Sequence, residues 1–205
     1  MKYPEYQSDN INILWIFIFI TVFLSSCGMP NPDQNKIYQL MDLRNYSYQL
    51  FSQGKYNEAE NRAKEALQYA EKEFGPGTNE VISCLSNMGD FYLAQGRYTE
   101  AELYYTRALE TVKKNPYLNI SGPGKIPDRA LVSSLSDLAD LFLIQEKYAE
   151  AAPLYEEALE LFKGQPRSIP MWNILEKLDR CYRKSGNADK TENIGRIRRR
   201  FREGK

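Results

Sequence analysis

The chain has 205 residues, with 27 basic and 27 acidic side chains, three cysteines and no histidine. Its zero formal charge does not favour nucleic acid as a partner, and its 42% hydrophobic residues suffice for one folded domain or a repeat array. The lack of histidine excludes an imidazole base, Ser-His-Asp and Cys-His nucleophile pairs and histidine-containing metal sites. We therefore expect a non-catalytic protein with no cofactor and no metal.

An uncharged apolar segment lies near the N-terminus, from Ile11 to Leu24. As a helix it would be about 21 Å long, shorter than the ~30 Å hydrocarbon core of a bilayer. That length favours the apolar region of a secretory signal over a membrane span. The next residues complete the sequence Leu24-Ser25-Ser26-Cys27, which resembles the lipobox of bacterial lipoproteins. The resemblance implies a lipoprotein signal peptide over residues 1–26, with diacylglycerol attached to Cys27 as the new N-terminus.

The residues around this segment leave an alternative open and suggest a location. Lys2 is the only basic side chain before the apolar segment, so an uncleaved signal anchor with an ordinary thiol at Cys27 is the alternative. In lipoproteins of two-membrane bacteria, Gly28 rather than aspartate implies sorting to the outer membrane, facing the periplasm. Several acyl chains would hold the protein firmly on the membrane. We expect residues 27–36, rich in proline and polar side chains, to form a flexible tether.

The rest of the chain repeats a short motif. Gly54-Lys55-Tyr56-Asn57-Glu58-Ala59 recurs forty-two residues later, from Gly96 to Ala101, and again fifty residues further on, from Glu146 to Ala151. A weaker copy runs from Gly186 to Thr191. Apolar residues spaced by three and four positions lie on both sides of each motif, which predicts a helix, a tight turn and a second helix per unit.

The apolar positions fall into two sets. The first helices carry Leu43, Tyr46, Leu50; Leu85, Met88, Tyr92; Leu135, Leu138, Phe142; and Leu175, Leu178, Tyr182. The second helices carry Ala59, Ala63, Ala66, Leu67; Ala101, Tyr105, Ala108, Leu109; and Ala151, Tyr155, Ala158, Leu159. The small residues allow helices to approach to about 8–10 Å, and the aromatic residues fill the space beside them. We expect both sets to be buried.

These residues resemble the tetratricopeptide repeat. Its first-helix signature is present as Leu85-x-x-Met88-Gly89-x-x-Tyr92, and its second-helix signature as Ala101, Tyr105 and Ala108. The forty-two-residue spacing and the Tyr-x-Glu-Ala-Glu core are similar to the kinesin-light-chain type of this family. The resemblance implies an all-α fold, a right-handed α-solenoid of about four helix-turn-helix repeats. Its expected domain covers residues 37–205, with repeats at about 37–78, 79–114, 128–164 and 170–203 and an inserted loop at 115–127.

Helix ends can also be predicted from local signals. Asn57 with Glu60, Thr99 with Glu102 and Asp189 with Glu192 have the spacing of a capping box, which predicts helix starts at Asn57, Thr99 and Asp189. Pro153 is compatible with a helix that begins one turn late, with the ring at its first position.

The family resemblance also implies where a partner would bind. The first helix of each repeat lines a concave groove, and the residues between its core positions face a bound polypeptide. Carried onto this sequence, the partner-binding residues are Arg44, Tyr48, Phe51, Asn87, Asp90, Leu93, Asp137, Asp140, Leu143, Arg180 and Arg183. The carboxylate clamp of some members is not reproduced here, so an extended or helical segment of another protein is the expected ligand.

The C-terminal end is strongly basic. From Arg180 onward there are ten basic and three acidic residues, a net charge of +7, whereas residues 27–179 have a net charge of −6. We expect Ile194, Ile197 and Phe201 to form the apolar stripe of a capping helix. The arginines from Arg196 to Arg202 are then interpreted as a solvated surface, or alternatively as a contact for anionic lipid or an acidic partner.

The function that these patterns predict is a protein-protein interaction scaffold, lipid-anchored in the bacterial cell envelope, with no nucleic-acid partner. Two alternatives remain open: a cytoplasm-facing adaptor on an uncleaved anchor, and an enzyme whose chemistry lies in the 115–129 loop. The loop contains Gly122-Pro123-Gly124-Lys125, which lacks the spacing of a phosphate-binding loop and favours a turn. Cys84 and Cys181 fall on first helices, where we expect buried thiols rather than a disulfide.

Overall fold

The computed structural model describes residues 32–115, 129–164 and 168–203. This part of the chain forms eight α-helices and no strand. The helices are α1 (Pro32–Ser52), α2 (Tyr56–Glu73), α3 (Asn79–Ala94), α4 (Tyr98–Lys114), α5 (Arg129–Ile144), α6 (Tyr148–Glu160), α7 (Ile169–Lys184) and α8 (Ala188–Arg202).

The chain divides into two compact units, residues 1–41 and residues 42–205. In the first unit, the described residues form the N-terminal half of α1. In the second unit, each helix from α2 onward packs against the next one, and the first helices α3 and α5 also contact each other. The described residues of this second unit therefore form an all-α repeat solenoid, as the sequence predicts.

A single turn design joins the two helices of every pair. Gly54, Gly96 and Gly186 have φ angles of 75°, 73° and 72°, and Glu146 occupies the same position with φ 59°. The next backbone N–H donates to a carbonyl five residues earlier, as from Arg97 N to Tyr92 O at 2.9 Å. This is the hydrogen bond of a Schellman motif, which ends a helix at a residue in the left-handed region. Glycine adopts that region without steric cost, which explains three of the four positions.

The core consists of the two predicted sets of apolar residues. Of the first-helix set, Leu50 and all nine residues in α3, α5 and α7 are buried, whereas Leu43 is only half-buried. The second-helix set is buried except for half-buried Leu159. The prediction was wrong at Tyr46, which is 45% exposed and stacks under the Arg62 guanidinium. Ser47, the adjacent residue, is buried in its place and donates to Arg44 O at 2.6 Å.

Helix starts differ from the capping-box prediction. The helices α2 and α4 begin at Tyr56 and Tyr98, directly after Lys55 and Arg97, and neither N-cap residue makes a side-chain capping bond. The Schellman turn brings the chain into helical conformation before the small polar residues are reached. The predictions at Asn57 and Thr99 were therefore wrong, and so was that at Asp189, because Asn187 caps α8 by accepting from Lys190 N.

Two further expectations about boundaries fail. The helix α6 begins at Tyr148, so Pro153 lies inside it rather than at its first position. Pro153 and Ala149 are both exposed, so water can bond to the Ala149 carbonyl that lacks a proline N–H. At the N-terminus, α1 begins at Pro32, so residues 32–36 are helical rather than part of a tether. Proline is favoured at the first helical position because no N–H is needed there.

Several predictions fall outside the described residues. These are the signal peptide at 1–26, the lipidation of Cys27, the tether up to residue 31, and the loop from residue 116 to residue 128. Cys84 and Cys181 are described, and both are buried and free, as expected. Burial raises the pKa of each thiol to about 11, so neither is a reactive thiolate at neutral pH.

Candidate functional site

The first helices of the second unit are joined side by side through polar contacts. The Tyr48 hydroxyl lies 2.6 Å from the Asn87 side chain, Ser86 Oγ donates to Asp137 Oδ2 at 3.2 Å, and Lys177 Nζ donates to Asp140 Oδ2 at 2.6 Å. These contacts link α1 to α3, α3 to α5 and α5 to α7. We name the surface on which they lie the first-helix surface, and we define it as Arg44, Tyr48, Phe51, Asp90, Leu93, Asp137, Asp140, Arg180 and Arg183.

The contacts follow a register that is set by the turns. The turn residues are those with a left-handed backbone, Gly54, Gly96, Glu146 and Gly186. The residue six positions before one of them is matched with the residue nine positions before the next one. Three pairs share this relation: Tyr48 with Asn87, Asp90 with Asp137, and Asp140 with Lys177. The first pair is a hydrogen bond and the third is an ion pair, whereas the middle pair consists of two carboxyl groups, close enough for the charge of Asp90 to raise the pKa of Asp137.

Aromatic side chains dominate the surface near α1. The Phe51 ring stacks on Phe91 with centroids 4.6 Å apart, and Tyr48 meets Phe91 edge to face at 5.1 Å. Such pairs contribute roughly 0.5–1.5 kcal/mol each beyond their buried area. Tyr48 is 40% exposed and Phe51 is half-buried, so part of this cluster faces solvent. This end of the surface can accept an apolar or aromatic side chain.

The centre of the surface is acidic. Asp90 accepts a hydrogen bond from the buried Tyr105 hydroxyl at 2.6 Å, while Asp137 accepts from Ser86. Burial raises the pKa of Asp137 to about 6, with a further contribution from the charge of Asp90. The surrounding protein partly desolvates the Asp90 carboxyl group, although this residue is exposed, and so raises its pKa against the effect of the bond from Tyr105. Among the described residues, no cation is ion-paired with either carboxyl group.

The next repeat shows the same arrangement with a cation added. The buried Tyr155 hydroxyl donates to Asp140, fifteen residues before it, as Tyr105 does to Asp90. Asp140 is also ion-paired with Lys177 of the following first helix at 2.6 Å. Lys177 therefore occupies the position that Asp137 occupies one repeat earlier, and it neutralises the carboxylate of Asp140. Tyrosines from the core thus fix the orientation of both surface carboxylates.

The basic end of the surface adjoins a cavity of about 480 Å³ between α7 and α8. Asp179 lies in its wall with its side chain 7% exposed, and Asp179 Oδ2 accepts from Arg183 Nε at 3.0 Å and from Arg198 Nη1 at 2.5 Å. Asp179 Oδ1 has no hydrogen-bond partner within the described structure. The cavity is lined by Asn173, Glu176, Lys177, Asp179, Arg180, Arg183, Lys184 and Arg198.

Most of the predicted partner-binding residues are exposed or half-buried, but two are not. Arg44, Phe51, Leu93, Asp137 and Asp140 are half-buried, whereas Tyr48, Asp90, Arg180 and Arg183 are exposed. Their role in binding stays a prediction.

Asn87 and Leu143 are buried, with 6% and 9% exposure, so neither offers a free side chain to a partner. Asn87 donates to Ser83 O at 3.1 Å and to the Tyr48 hydroxyl, and accepts from Arg44 Nε at 2.8 Å. An asparagine that joins three neighbours of its own chain supports the structure, and the binding role of Asn87 and Leu143 stays a prediction.

Sequence reasoning missed the residues that hold this surface in place. Tyr105 and Tyr155 were predicted as core residues only. Ser86, Lys177 and Arg198 were not among the predicted partner-binding residues. The spacing of fifteen residues between Asp90 and Tyr105, and again between Asp140 and Tyr155, was a usable signal because both pairs occupy equivalent positions of adjacent repeats. Within the ranges that the structure describes, no group of three or more potential ligands could hold a metal ion.

Two family models match the chain. Both are described as tetratricopeptide repeat; one matches residues 40–114 and the other matches residues 131–163, and together they match just over half of the chain. The chain belongs to the tetratricopeptide repeat family. The first match runs from the C-terminal part of α1 to the end of α4, and the second covers nearly all of α5 and all of α6.

Solved structures of other tetratricopeptide repeat proteins have the same fold. BtubC (BKLC) from P. vanneervenii superposes with a TM-score of 0.66 at 16% identity, over 97% of this chain and 76% of that protein. A protein from Podosopora anserina, described as a kinesin light chain with nearly identical TPR-like repeats, has a TM-score of 0.62 at 15% identity, over 89% and 82% of the two chains. Comparison with the curated proteins finds no match.

Among the helices that the structure describes, none combines the length and the apolar character needed to cross a membrane.

Proposed function

We propose that this tetratricopeptide repeat protein is a non-catalytic scaffold that binds a segment of a partner polypeptide on the first-helix surface. Tetratricopeptide repeats generally bind protein or peptide partners. The observation that carries the proposal for this chain is the pair Asp90 and Asp137. It places two carboxyl groups at a junction where the neighbouring repeats place a hydrogen bond and an ion pair. A lysine or arginine of a partner would neutralise this pair, as Lys177 neutralises Asp140.

The carboxyl groups are also prepared for binding. Because Tyr105 is fully buried and donates to Asp90, the carboxylate does not lose rotational freedom when a partner binds. Preorganised groups bind more tightly, since less conformational entropy is lost on association. The exposed part of the Tyr48 and Phe51 cluster lies on the same row of first helices, so a bound segment can combine an apolar contact with a charged one.

Photo-crosslinking tests the location of this surface. A benzophenone amino acid is placed at Leu93, on the first-helix surface in α3, and in a matched variant at Leu103, which is 64% exposed on α4. We expect the partner to be crosslinked from Leu93 and not from Leu103. Crosslinking from Leu103 alone would place the binding surface on the second helices and overturn the proposal.

Charge variants test the chemistry of the surface. Asp90→Asn with Asp137→Asn should weaken partner capture, because the partner's basic group loses its counter-charge. A single charge-assisted pair contributes about 1.5–3 kcal/mol, or roughly tenfold or more in Kd. Glu110→Gln is the control, since Glu110 is 58% exposed on α4 and pairs only with Lys114. Equal losses in both variants would indicate a non-specific charge effect.

We further propose that the protein is a lipoprotein of the bacterial cell envelope, anchored through Cys27 and facing the periplasm from the outer membrane. The match of Leu24-Ser25-Ser26-Cys27 to the lipobox and the Gly28 that follows support this. Globomycin should cause the unprocessed precursor to accumulate, and Cys27→Ser should release the protein from lipid labelling. A precursor unaffected by globomycin would favour the alternative, an adaptor that faces the cytoplasm on an uncleaved anchor.

A further inference from the structure

The cavity between α7 and α8 has an excess of positive charge. Five basic and two acidic side chains line it, a net charge of +3. Arg183 and Arg198 are both ion-paired with Asp179 Oδ2, and Lys177 is ion-paired with Asp140. Arg180 and Lys184 form no ion pair with any residue that the structure describes. The cavity therefore offers cationic donors that the fold itself does not use.

The cavity also offers one buried acceptor. Asp179 is 5% exposed, and its Oδ1 atom has no hydrogen-bond partner within the described structure. A buried carboxylate oxygen without a donor costs free energy, so such atoms are normally bonded. Arg198 Nε, in the same wall, is likewise buried without a partner in the described structure. A ligand that complements the wall accepts hydrogen bonds from the Arg180 and Arg183 guanidinium groups and donates one to Asp179. A carboxylate alone cannot supply the donor, whereas a peptide carries backbone N–H groups beside its carboxylates.

We propose that this cavity binds an acidic segment of the partner polypeptide, with an aspartate or glutamate carboxylate on Arg180, Arg183 and Lys184 and a backbone N–H on Asp179 Oδ1. A peptide supplies both groups within a few ångströms of each other. The inference rests on the proposed scaffold function, since the cavity lies at the end of the first-helix surface and is joined to it through the Lys177–Asp140 ion pair.

The position of Arg180 supports this assignment. It stands six residues before Gly186, in the register that Tyr48, Asp90 and Asp140 occupy in the three earlier repeats. In those repeats the side chain at this position faces the next first helix. Arg180 occupies the same register position but is exposed, lines the cavity and is ion-paired with no described side chain, so its charge is available to a segment bound there. An acidic residue of a bound segment would complete the series.

The charge order along the first-helix surface then fixes the direction of the segment. Basic residues of the segment face the acidic centre at Asp90 and Asp137, whereas acidic residues face Arg180 and Arg183. A segment bound in the reverse direction would place like charges together, which costs several kcal/mol in a complex and prevents the wrong register. The surface thus accepts a segment with its basic and acidic residues at opposite ends.

Peptide binding to the purified full-length chain tests the inference. The probes are a fluorescein-labelled peptide of alternating glutamate and aspartate and its glutamine and asparagine analogue, followed by anisotropy in a nonionic detergent. We expect the acidic peptide to bind and the neutral analogue not to bind. Arg180→Gln should raise the Kd about tenfold, the effect of one lost charge-assisted hydrogen bond. Arg180 is exposed, so the substitution should leave the fold intact, which circular dichroism verifies.

Arg200→Gln is the matched control, because Arg200 is exposed on α8 and does not line the cavity. It should change the Kd less than twofold. An equal loss for Arg200→Gln, or no loss for Arg180→Gln, would overturn the inference in favour of diffuse charge attraction. Displacement of the peptide by mixed micelles that contain phosphatidylglycerol would also overturn it, in favour of a membrane contact. Retained crosslinking from Leu93 in any of these cases would leave the proposed scaffold function standing.

Discussion

A methyl group added at Gly89 should destabilise the protein, although glycine is normally the weaker residue in a helix. A Cβ atom at this position of α3 would lie 2.4 Å, 2.6 Å and 2.8 Å from three ring atoms of Tyr105. The ring cannot move away freely, because Tyr105 is fully buried and its hydroxyl is bonded to Asp90. Overpacking of this kind costs roughly 1–3 kcal/mol, and three contacts below 3 Å favour the upper end.

Helix propensity acts in the opposite direction for Gly89→Ala, with a gain of about 1 kcal/mol. We therefore expect a net loss of about 2 kcal/mol in the free energy of unfolding, measured by urea denaturation, and a fall in Tm of about 4–8 °C. Gly195→Ala is the control, since nothing lies within 4 Å of a Cβ in α8, and it should gain up to about 1 kcal/mol. A Gly89→Ala protein as stable as the parent would refute the packing argument.

Three other predictions concern the turn, the acidic pair and the thiols. Glu146→Gly should raise Tm by a few degrees, because Glu146 has φ 59° where the other repeats have glycine. Burial raises the pKa of Asp137 to about 6, so its charge destabilises the fold above pH 6 and not below pH 4. The variant Asp137→Asn keeps an acceptor for Ser86 and should stabilise the protein by about 1–3 kcal/mol at pH 8. Its stability at pH 4 should be nearly unchanged, and urea titrations at both pH values measure the difference. Cys84 and Cys181 should resist Ellman's reagent in the native protein at pH 8 and react at once in denaturant.

The fold could be predicted from the sequence because the repeat determines it redundantly. The motif from Gly96 to Ala101 and its copies set the turns, and the alanines and tyrosines of the second helices set the packing distance. A fault at one position, such as the exposed Tyr46, does not change the outcome, since the neighbouring residue Ser47 fills the buried position. Core positions repeat in every unit, so each prediction was in effect made several times.

Helix starts were predicted less well because two signals compete there. The Schellman turn and the capping box both predict an N-cap residue, and they place it at positions two residues apart. At Gly54 and Gly96 the turn decides, because its left-handed residue and its hydrogen bond to the first helix leave no freedom for the next residues. Asn187 shows that a side-chain cap still forms where a suitable residue follows the turn directly.

Surface residues were predicted only in part, because their exposure depends on contacts between repeats. Asn87 occupies a family binding position, yet the long side chains of Tyr48 and Arg44 from the preceding first helix cover it. The signature of a single repeat contains no information about which residue of the next repeat lies beside it. To predict that Asn87 is buried, the register between neighbouring units would have to be known, and only the structure gives it.

That register explains how a uniform backbone can present different chemistry along its length. Each pair of first helices meets through the same two positions, and this chain fills them with a tyrosine and an asparagine, with two aspartates, and with an aspartate and a lysine. The first and third pairs hold the solenoid together, because each joins two repeats by a hydrogen bond or an ion pair. The middle pair provides no such bond, and burial, with a smaller contribution from the charge of Asp90, raises the pKa of Asp137. A structural role would have favoured a complementary pair at this junction, and this departure is the reason for proposing that a cation of the partner binds there.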